Sequence, residues 1–268
     1  MSTLDRLAHE CCVLARRAGG DILQIYAGNF AVEHKADDSP LTAADMASHR
    51  LIVAGLNTLS PDIPVLSEES KGISWSERRA WDRYWLVDPL DGTREFVKRN
   101  GEFTVNIALI ENHVPVLGVV LVPVTGALFY GIAGVGAFLE AAPRALPQPI
   151  ATRAAAAVPV VAGSRSHGNE RQAELLANLG GHTLVPVGSS IKFCMVADGR
   201  ADLYLRLGPT SEWDTAAAQC VVEQAGGAVV DLQGAALRYN TKESLLNPEF
   251  LTLGDPSVDW LARLGLRA

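Results

Sequence analysis

Two aspartates, Asp88 and Asp91, are the clearest sign of chemistry in the sequence. They follow a short apolar run that predicts a strand ending at Asp88. Pro89 restricts the backbone between them, and Gly92 permits a tight turn beside a ligand. Two adjacent carboxylates repel each other unless a cation lies between them, and Mg²⁺ prefers carboxylate, carbonyl, water and phosphate oxygens. The run therefore predicts a Mg²⁺ site to which the Leu90 carbonyl could contribute; the alternative is a surface turn, where Asp-Pro and Asp-Gly pairs are common.

Four further acids occur where strands end or helices begin in the predicted structure. Glu68 and Glu69 follow the predicted strand 63–67, Asp214 starts a predicted helix, and Asp45 lies in the first turn of another. Taken singly, Asp214 could be a helix N-cap and Asp45 could interact with a helix dipole. Open α/β proteins gather ligands at such positions, so we expect these acids to converge with the aspartate pair.

Basic and polar residues that suit a phosphate occur in the second half of the chain. The run GSSIK at residues 188–192 puts a serine at a predicted helix start and Lys192 one turn later. Backbone N–H groups and a lysine charge can hold a phosphate there, although a capped surface helix has the same pattern. Arg206 ends a predicted strand and could be a solvated charge, and His167 could be an ordinary loop histidine.

The elements that must position these residues alternate along the chain. Hydrophobic spacing and turn residues predict helices at 4–25, 42–59, 169–179, 190–197 and 215–225, and strands at 63–67, 84–87, 103–110, 117–122, 128–132, 137–139, 159–163 and 202–207. Such mixed elements favour an α+β or layered α/β protein.

The uncharged stretch 114–139 is long enough to cross a membrane as a helix. Its prolines and glycines recur too often for a helix, so we expect short buried strands instead. A proline-rich stretch at 141–159 predicts a domain junction. We therefore expect an N-terminal α+β half at 1–150 with most of the candidate metal ligands, and a C-terminal α/β half at 151–268 with Asp214 and the residues that suit a phosphate.

Composition limits the class of partner. The chain has 268 residues, a net charge of -7 and four cysteines without a Cys-x-x-Cys pair. A negative charge disfavours nucleic acid and anionic membranes, and unpaired cysteines suggest reduced thiols. The N-terminus does not resemble a signal peptide. We expect a cytoplasmic protein with a small-molecule substrate, no nucleic-acid partner, no integral membrane segment and no obligate protein partner.

Four segments together resemble the inositol monophosphatase superfamily of lithium-sensitive, magnesium-dependent phosphatases. They are DPLDGT at 88–93, WDTAAA at 213–218, SPLTAAD at 39–45 and SEES at 67–70, in the family order. The resemblance extends from about residue 8 to residue 247. Within the superfamily the sequence is most similar to the bacterial CysQ group of 3'(2'),5'-bisphosphate nucleotidases, through residues 94–96, 100–108, 188–193 and 204–206.

The resemblance implies an α+β protein built as a layered α/β/α/β/α sandwich, with the site between two halves. The metal ligands would be Glu68, Asp88, the Leu90 carbonyl, Asp91 and Asp214, holding two or three Mg²⁺ ions, and Li⁺ would inhibit. Asp45 and Thr93 would orient and deprotonate the attacking water. The substrate-binding residues would be Glu68, Leu90, Asp91, Gly92, Thr93, His167, Ser189, Lys192, Arg206 and Asp214.

The implied activity is hydrolysis of the 3'-phosphate of adenosine 3',5'-bisphosphate, and of 3'-phosphoadenylyl sulfate, in sulfate assimilation. The group also allows peripheral association with the inner membrane. One alternative is an inositol monophosphatase or fructose-1,6-bisphosphatase-like activity. Another, of a different class, is a regulator that binds metal and nucleotide without catalysis; the Asp45–Thr93 pair argues against it, because binding alone does not require it.

Overall fold

The computed structural model describes residues 2–28, 32–34, 40–70, 72–164 and 170–267. The helices in these ranges are α1 (Thr3–Ala27), α2 (Ala43–Leu59), α3 (Trp75–Arg78), α4 (Thr93–Val97), α5 (Glu170–Ala177), α6 (Ile191–Ala197), α7 (Glu212–Gln224) and α8 (Trp260–Arg263). The strands are β1 (Val32–His34), β2 (Pro40–Thr42), β3 (Val65–Ser67), β4 (Arg83–Asp91), β5 (Thr104–Glu111), β6 (Val114–Val122), β7 (Ala127–Ile132), β8 (Gly136–Glu140), β9 (Gln148–Ile150), β10 (Val160–Ser164), β11 (Thr183–Val187), β12 (Leu203–Arg206), β13 (Ala228–Asp231) and β14 (Phe250–Leu253).

A seven-stranded sheet follows the chain order from β3 to β9. Strand β3 is parallel to β4, and the other neighbours are antiparallel. The uncharged stretch lies in β6, β7 and β8, so the prediction of strands there is confirmed. Among the described residues, no helix has both the length and the apolar composition that crossing a bilayer requires.

A five-stranded sheet has the order β11-β10-β12-β14-β13. Strand β10 is parallel to β11 and β12, while β14 is antiparallel to β12 and β13. Strands β11, β13 and β14 and helix α8 lie where no element was predicted. Short apolar runs such as these have no distinctive period, and their strand character depends on the neighbouring strands.

The two sheets and three helical layers form the predicted α/β/α/β/α sandwich. Helices α1 and α2 cover one face of the seven-stranded sheet, and α6 and α7 lie between the two sheets. Apolar residues of α5 and α8 pack on the outer face of the five-stranded sheet. The four cysteines are all buried and unpaired.

Helix α7 lies against the seven-stranded sheet at two paired glycines, Gly118 and Gly131. A Cβ at Gly118 would lie 2.1 Å from the carbonyl oxygen of Ala217, and one at Gly131 would lie 2.9 Å from that of Cys220. Only glycine permits this approach of helix and sheet. The approach places the first turn of α7 beside the ends of β4 and β5.

The predicted junction contains an unpredicted strand, β9, at the edge of the seven-stranded sheet. The other sheet begins at Val160 in β10. Helix α7 follows in the chain but packs on the first sheet, so the chain crosses between the halves after the junction. The division at residue 150 stays a prediction.

Candidate active site

Strand β4 does not end at Asp88, as predicted, but continues to Asp91. Its pairing with β5 shifts register between these two residues. The Leu90 N–H donates to Asp88 Oδ1 at 3.0 Å. Gly92 follows with a φ of 90° and begins α4, as expected of a turn that requires glycine. The irregular strand end thus leaves both carboxylates in one cavity.

Asp45, Glu68 and Glu69 form a second acidic group. One carboxylate oxygen from each lies within 4.8 Å of the others. Asp45 is fully buried in the first turn of α2, and Glu68 directly follows β3. The sequence analysis expected Glu69 to converge with the other acids but did not include it among the predicted metal ligands. The only available signal was its place in the adjacent glutamate pair.

Asp214 lies in the first turn of α7, where the N-cap is Ser211. The interpretation of Asp214 as the N-cap is therefore wrong. Its Oδ2 accepts a hydrogen bond from the Ser211 N–H at 2.9 Å. Because α7 packs closely on the first sheet, this carboxylate from the second half of the chain enters the same cavity as Asp88 and Asp91.

Asp88, Asp91 and Asp214 form an acidic wall of the cavity. Burial and mutual repulsion make the charged forms of these carboxylates unfavourable without a cation. Burial raises the pKa of Asp88 well above its usual range, and the charges of Glu68, Asp91, Asp214 and Asp45 raise it further. Burial, then Asp91 and Glu68, raise the pKa of Asp214 to about 8. The atoms available as metal ligands are carboxylate and carbonyl oxygens, which a hard divalent cation prefers. The acidic cluster therefore fits Mg²⁺.

The predicted basic residues Lys192 and Arg206 line the same cavity, and we call this part of the lining its basic wall. Lys192 lies in α6 and is only 5% exposed, so the interpretation of α6 as an ordinary surface helix is wrong. Its Nζ donates to the carbonyl oxygens of Ser189 at 2.6 Å and Val187 at 3.4 Å. Burial lowers the pKa of Lys192 to about 8, although Asp91 opposes this effect.

Two residues of this wall, Ser190 and Arg206, differ in the structure from the interpretations that the sequence allowed. Ser190, the N-cap of α6, makes no side-chain capping bond, and its N–H donates to Asp91. Arg206 is partly buried, and it donates to the carbonyls of Gly208 at 3.2 Å and Pro209 at 3.0 Å. Arg206 therefore differs from a solvated surface charge.

Both walls line one cavity of about 390 Å³. The predicted site residues that line it are Glu68, Asp88, Leu90, Asp91, Gly92, Thr93, Ser189, Lys192, Arg206 and Asp214. His167 lies outside the described residues. The Thr93 hydroxyl donates to the Leu90 carbonyl at 3.4 Å and not to Asp45, so the shared role of Thr93 and Asp45 stays a prediction.

Sequence reasoning missed several other residues of the cavity, including Glu95, Ser190, Phe193, Tyr204, Thr210 and Trp213. It also missed two buried polar residues behind it, Thr104 and Asn106. Polar residues that alternate with apolar ones along β5 were the signal for this pair, since alternate residues of a strand share one face.

Comparisons with known proteins agree with this fold. The sequence model of the inositol monophosphatase family matches residues 4–255. The "3'(2'),5'-bisphosphate nucleotidase CysQ" of Salmonella typhimurium is 52% identical over 246 residues, which cover 91% of this chain and 98% of that protein. The protein of the same name in Escherichia coli K12 is 51% identical over 243 residues, or 90% of this chain and 97% of that one.

A solved structure shares the same architecture. The crystal structure of CysQ from Bacteroides thetaiotaomicron, described as a bacterial member of the inositol monophosphatase family, superposes with a TM-score of 0.83. It is 42% identical and covers 92% of this chain and 97% of its own. The family model and these relatives extend over almost the whole sequence, including both walls of the cavity. This chain therefore belongs to the inositol monophosphatase family.

Proposed function

We propose that this chain is a Mg²⁺-dependent 3'(2'),5'-bisphosphate nucleotidase that converts adenosine 3',5'-bisphosphate to AMP and phosphate. The observation that supports this proposal is one cavity that is lined both by the acids Asp88, Asp91 and Asp214 and by the basic residues Lys192 and Arg206. The acidic wall suits cations at the phosphate that is cleaved. The basic wall suits the second phosphate, which an ordinary monoester lacks. The names of the relatives support this assignment.

Each residue has a role in this proposal. Glu68, Asp88, the Leu90 carbonyl, Asp91 and Asp214 would hold two or three Mg²⁺ ions. Bound Mg²⁺ would polarise the phosphate and make water a better nucleophile. Ser189, Lys192, Arg206 and His167 hold the nucleotide and its 5'-phosphate, and charge-assisted bonds from Lys192 and Arg206 favour the doubly phosphorylated substrate.

Asp45 and Thr93 supply the proton path. The Thr93 hydroxyl orients the attacking water, and the proton leaves through this hydroxyl to the Asp45 carboxylate. The water oxygen bonds to phosphorus as the bond from phosphorus to the 3'-oxygen breaks. The departing 3'-oxygen takes a proton from solvent water, and Asp45 returns its proton to solvent. No covalent enzyme intermediate is required.

The cellular role in this proposal is the removal of adenosine 3',5'-bisphosphate formed in sulfate assimilation. We place the protein in the cytoplasm, where its four free and buried cysteines are compatible with reducing conditions. Hydrolysis of 3'-phosphoadenylyl sulfate and inhibition by Li⁺ belong to the same proposal.

The decisive experiment measures phosphate release from adenosine 3',5'-bisphosphate, inositol 1-phosphate and fructose 1,6-bisphosphate with Mg²⁺, and then with Li⁺ added. We expect the highest kcat/KM for the bisphosphate nucleotide. A clear preference for either sugar phosphate would support the alternative phosphatases. Nucleotide binding without phosphate release from any substrate would support the regulator.

Hydrolysis in ¹⁸O-labelled water tests the direction of attack. Attack on phosphorus places the label in phosphate and leaves AMP unlabelled. Label in the 3'-hydroxyl of AMP would contradict the mechanism, because the carbon–oxygen bond would then be the one broken.

A further inference from the structure

The turn that leads into α6 is held by two carboxylates from the first half of the chain. The Ser190 N–H donates to Asp91 Oδ2 at 2.6 Å, and the Gly188 N–H donates to Glu102 Oε2 at 2.9 Å. Between them, Ser189 has a φ of 48°, in a region that non-glycine residues seldom occupy. The surrounding contacts therefore impose the shape of the turn.

The Ser190 side chain joins a buried polar network. Its Oγ donates to Asn106 Oδ1 at 2.8 Å and lies 2.7 Å from Thr104 Oγ1. Thr104 Oγ1 also contacts Asp91 Oδ2 at 3.3 Å. Thr104, Asn106 and Ser190 are each at most 1% exposed. In such a buried network a lost hydrogen-bond partner is costly, so these side chains restrain one another.

Close packing prevents the turn from moving independently. A Cβ at Gly188 would lie 2.6 Å from Glu95 Cγ and 2.8 Å from the Glu102 carbonyl oxygen. The turn also carries the proposed ligands of the second phosphate, since the Lys192 ammonium group bonds to the Ser189 carbonyl. A displacement of the turn would therefore move both Ser189 and Lys192 relative to Asp91.

We propose that Thr104, Asn106 and Ser190 are positioning residues that couple the nucleotide-binding turn to the metal ligand Asp91. Binding of a cation at Asp91 and of a nucleotide at the turn then favour each other. This inference rests on the proposed function, because it takes Asp91 as a metal ligand and the turn as a nucleotide site. Coupling of this kind is reciprocal, so it can be measured from either ligand.

Thr104→Val tests the coupling, because it keeps the shape of the side chain and removes the hydroxyl. Thr104→Ser keeps the hydroxyl and serves as the rescue variant. Thr252→Val is the matched control: Thr252 is fully buried, and its hydroxyl has no hydrogen-bond partner within the part of the chain that the structure describes. Circular dichroism melting of all variants checks folding.

Calorimetry measures AMP binding with and without Mg²⁺, and kinetics measure kcat and KM for adenosine 3',5'-bisphosphate. We expect Thr104→Val to reduce the factor by which Mg²⁺ tightens AMP by about 5-fold or more, a typical coupling. KM should rise more than kcat falls. Thr104→Ser should restore both quantities, and Thr252→Val should change neither. Ser190→Ala should repeat the Thr104→Val result.

An unchanged coupling factor and KM in Thr104→Val, with only a lower melting temperature, would overturn the inference and leave a purely structural role. Failure of the proposed function is separate, because it appears in the wild type as no phosphate release from the bisphosphate nucleotide. In that case inorganic phosphate replaces AMP as the probe. If Mg²⁺ no longer tightens phosphate binding in Thr104→Val, the inference is still supported. If Mg²⁺ tightens it as in the wild type, the inference is overturned.

Discussion

The ammonium group of Lys192 donates a hydrogen bond to the carbonyl oxygen of Ser189, 2.6 Å away in the turn that precedes its own helix. It also lies 5.3 Å from the centre of the Tyr204 ring. The lysine is therefore held in the wall of the cavity before any substrate binds. This preorganisation reduces the entropy lost when a phosphate binds there.

Lys192→Met should affect substrates with two phosphates selectively. We expect KM for adenosine 3',5'-bisphosphate to rise by about 10-fold or more, since a hydrogen bond to a charged group contributes roughly 1.5–3 kcal/mol. Adenosine 3'-monophosphate, which lacks the 5'-phosphate, should change much less. Lys242→Met, at an exposed lysine, is the control. Equal losses for both substrates would contradict the assigned role of Lys192.

The pH dependence should reveal the same lysine. Burial lowers the pKa of Lys192 to about 8, so its positive charge is lost as the pH rises through this value. We expect kcat/KM for the bisphosphate nucleotide to fall above about pH 8, and Lys192→Arg to move this fall to higher pH. An unchanged profile in Lys192→Arg would assign the titration to another group.

Stability should respond to the same titration with the opposite sign. Between about pH 8 and the ordinary lysine value of 10.5, the unfolded chain retains a proton that the folded chain has released. The free energy of unfolding should therefore rise with pH across this window. Urea unfolding at several pH values should show a smaller rise in Lys192→Met than in the wild type.

Asp88→Asn should separate catalysis from stability. It removes a buried carboxyl group whose charged form is disfavoured by burial and by neighbouring carboxylates, so the melting temperature without Mg²⁺ should equal or exceed that of the wild type. The increase in melting temperature on adding Mg²⁺ should shrink. Phosphate release should fall by more than about 100-fold, because the charge stabilisation that a bound metal supplies is worth several kcal/mol. Asp82→Asn, at an exposed aspartate, is the control. Near-normal turnover of Asp88→Asn would refute its role as a ligand.

The Thr93 hydroxyl can be tested by two substitutions of similar size. Thr93→Val removes the hydroxyl and should lower kcat by about 100-fold or more, because general acid–base groups contribute roughly 10²–10⁴-fold. Thr93→Ser should keep most of the activity. Steady-state kinetics with melting curves check both variants. Normal kcat in Thr93→Val would exclude the proposed proton path.

Gly188→Ala should disturb the turn directly. The added methyl would meet Glu95 and the Glu102 backbone, and overpacking of this kind costs typically about 1–3 kcal/mol. We expect a lower melting temperature and a higher KM for the nucleotide. Gly20→Ala is the control, because a Cβ there meets nothing within 4 Å and should stabilise α1 by about 0.5–1 kcal/mol. Equal KM values in Gly188→Ala and wild type would contradict the role of the turn.

Local patterns were sufficient for part of the fold. Helices α1 and α2 and strands β6 to β8 follow from hydrophobic spacing and from the positions of proline and glycine. The short strands β11, β13 and β14 do not, because their residues form strands only beside partners distant in the chain. The end of β4 was misplaced because a register shift against β5 extends the strand beyond Asp88.

The amino-acid sequence by itself determined the kinds of ligand: an aspartate pair beside a turn glycine, further acids at strand ends and helix starts, and a serine–lysine turn. These features depend on residue types and short spacings. Only the tertiary structure decided that Glu69 joins Asp45 and Glu68, that Lys192 is buried, and that the Ser190 N–H meets Asp91. The first contact arises where α2 lies beside β3, and the other two arise where α6 packs between the two sheets. No local pattern encodes the distance between segments that are separated in the chain.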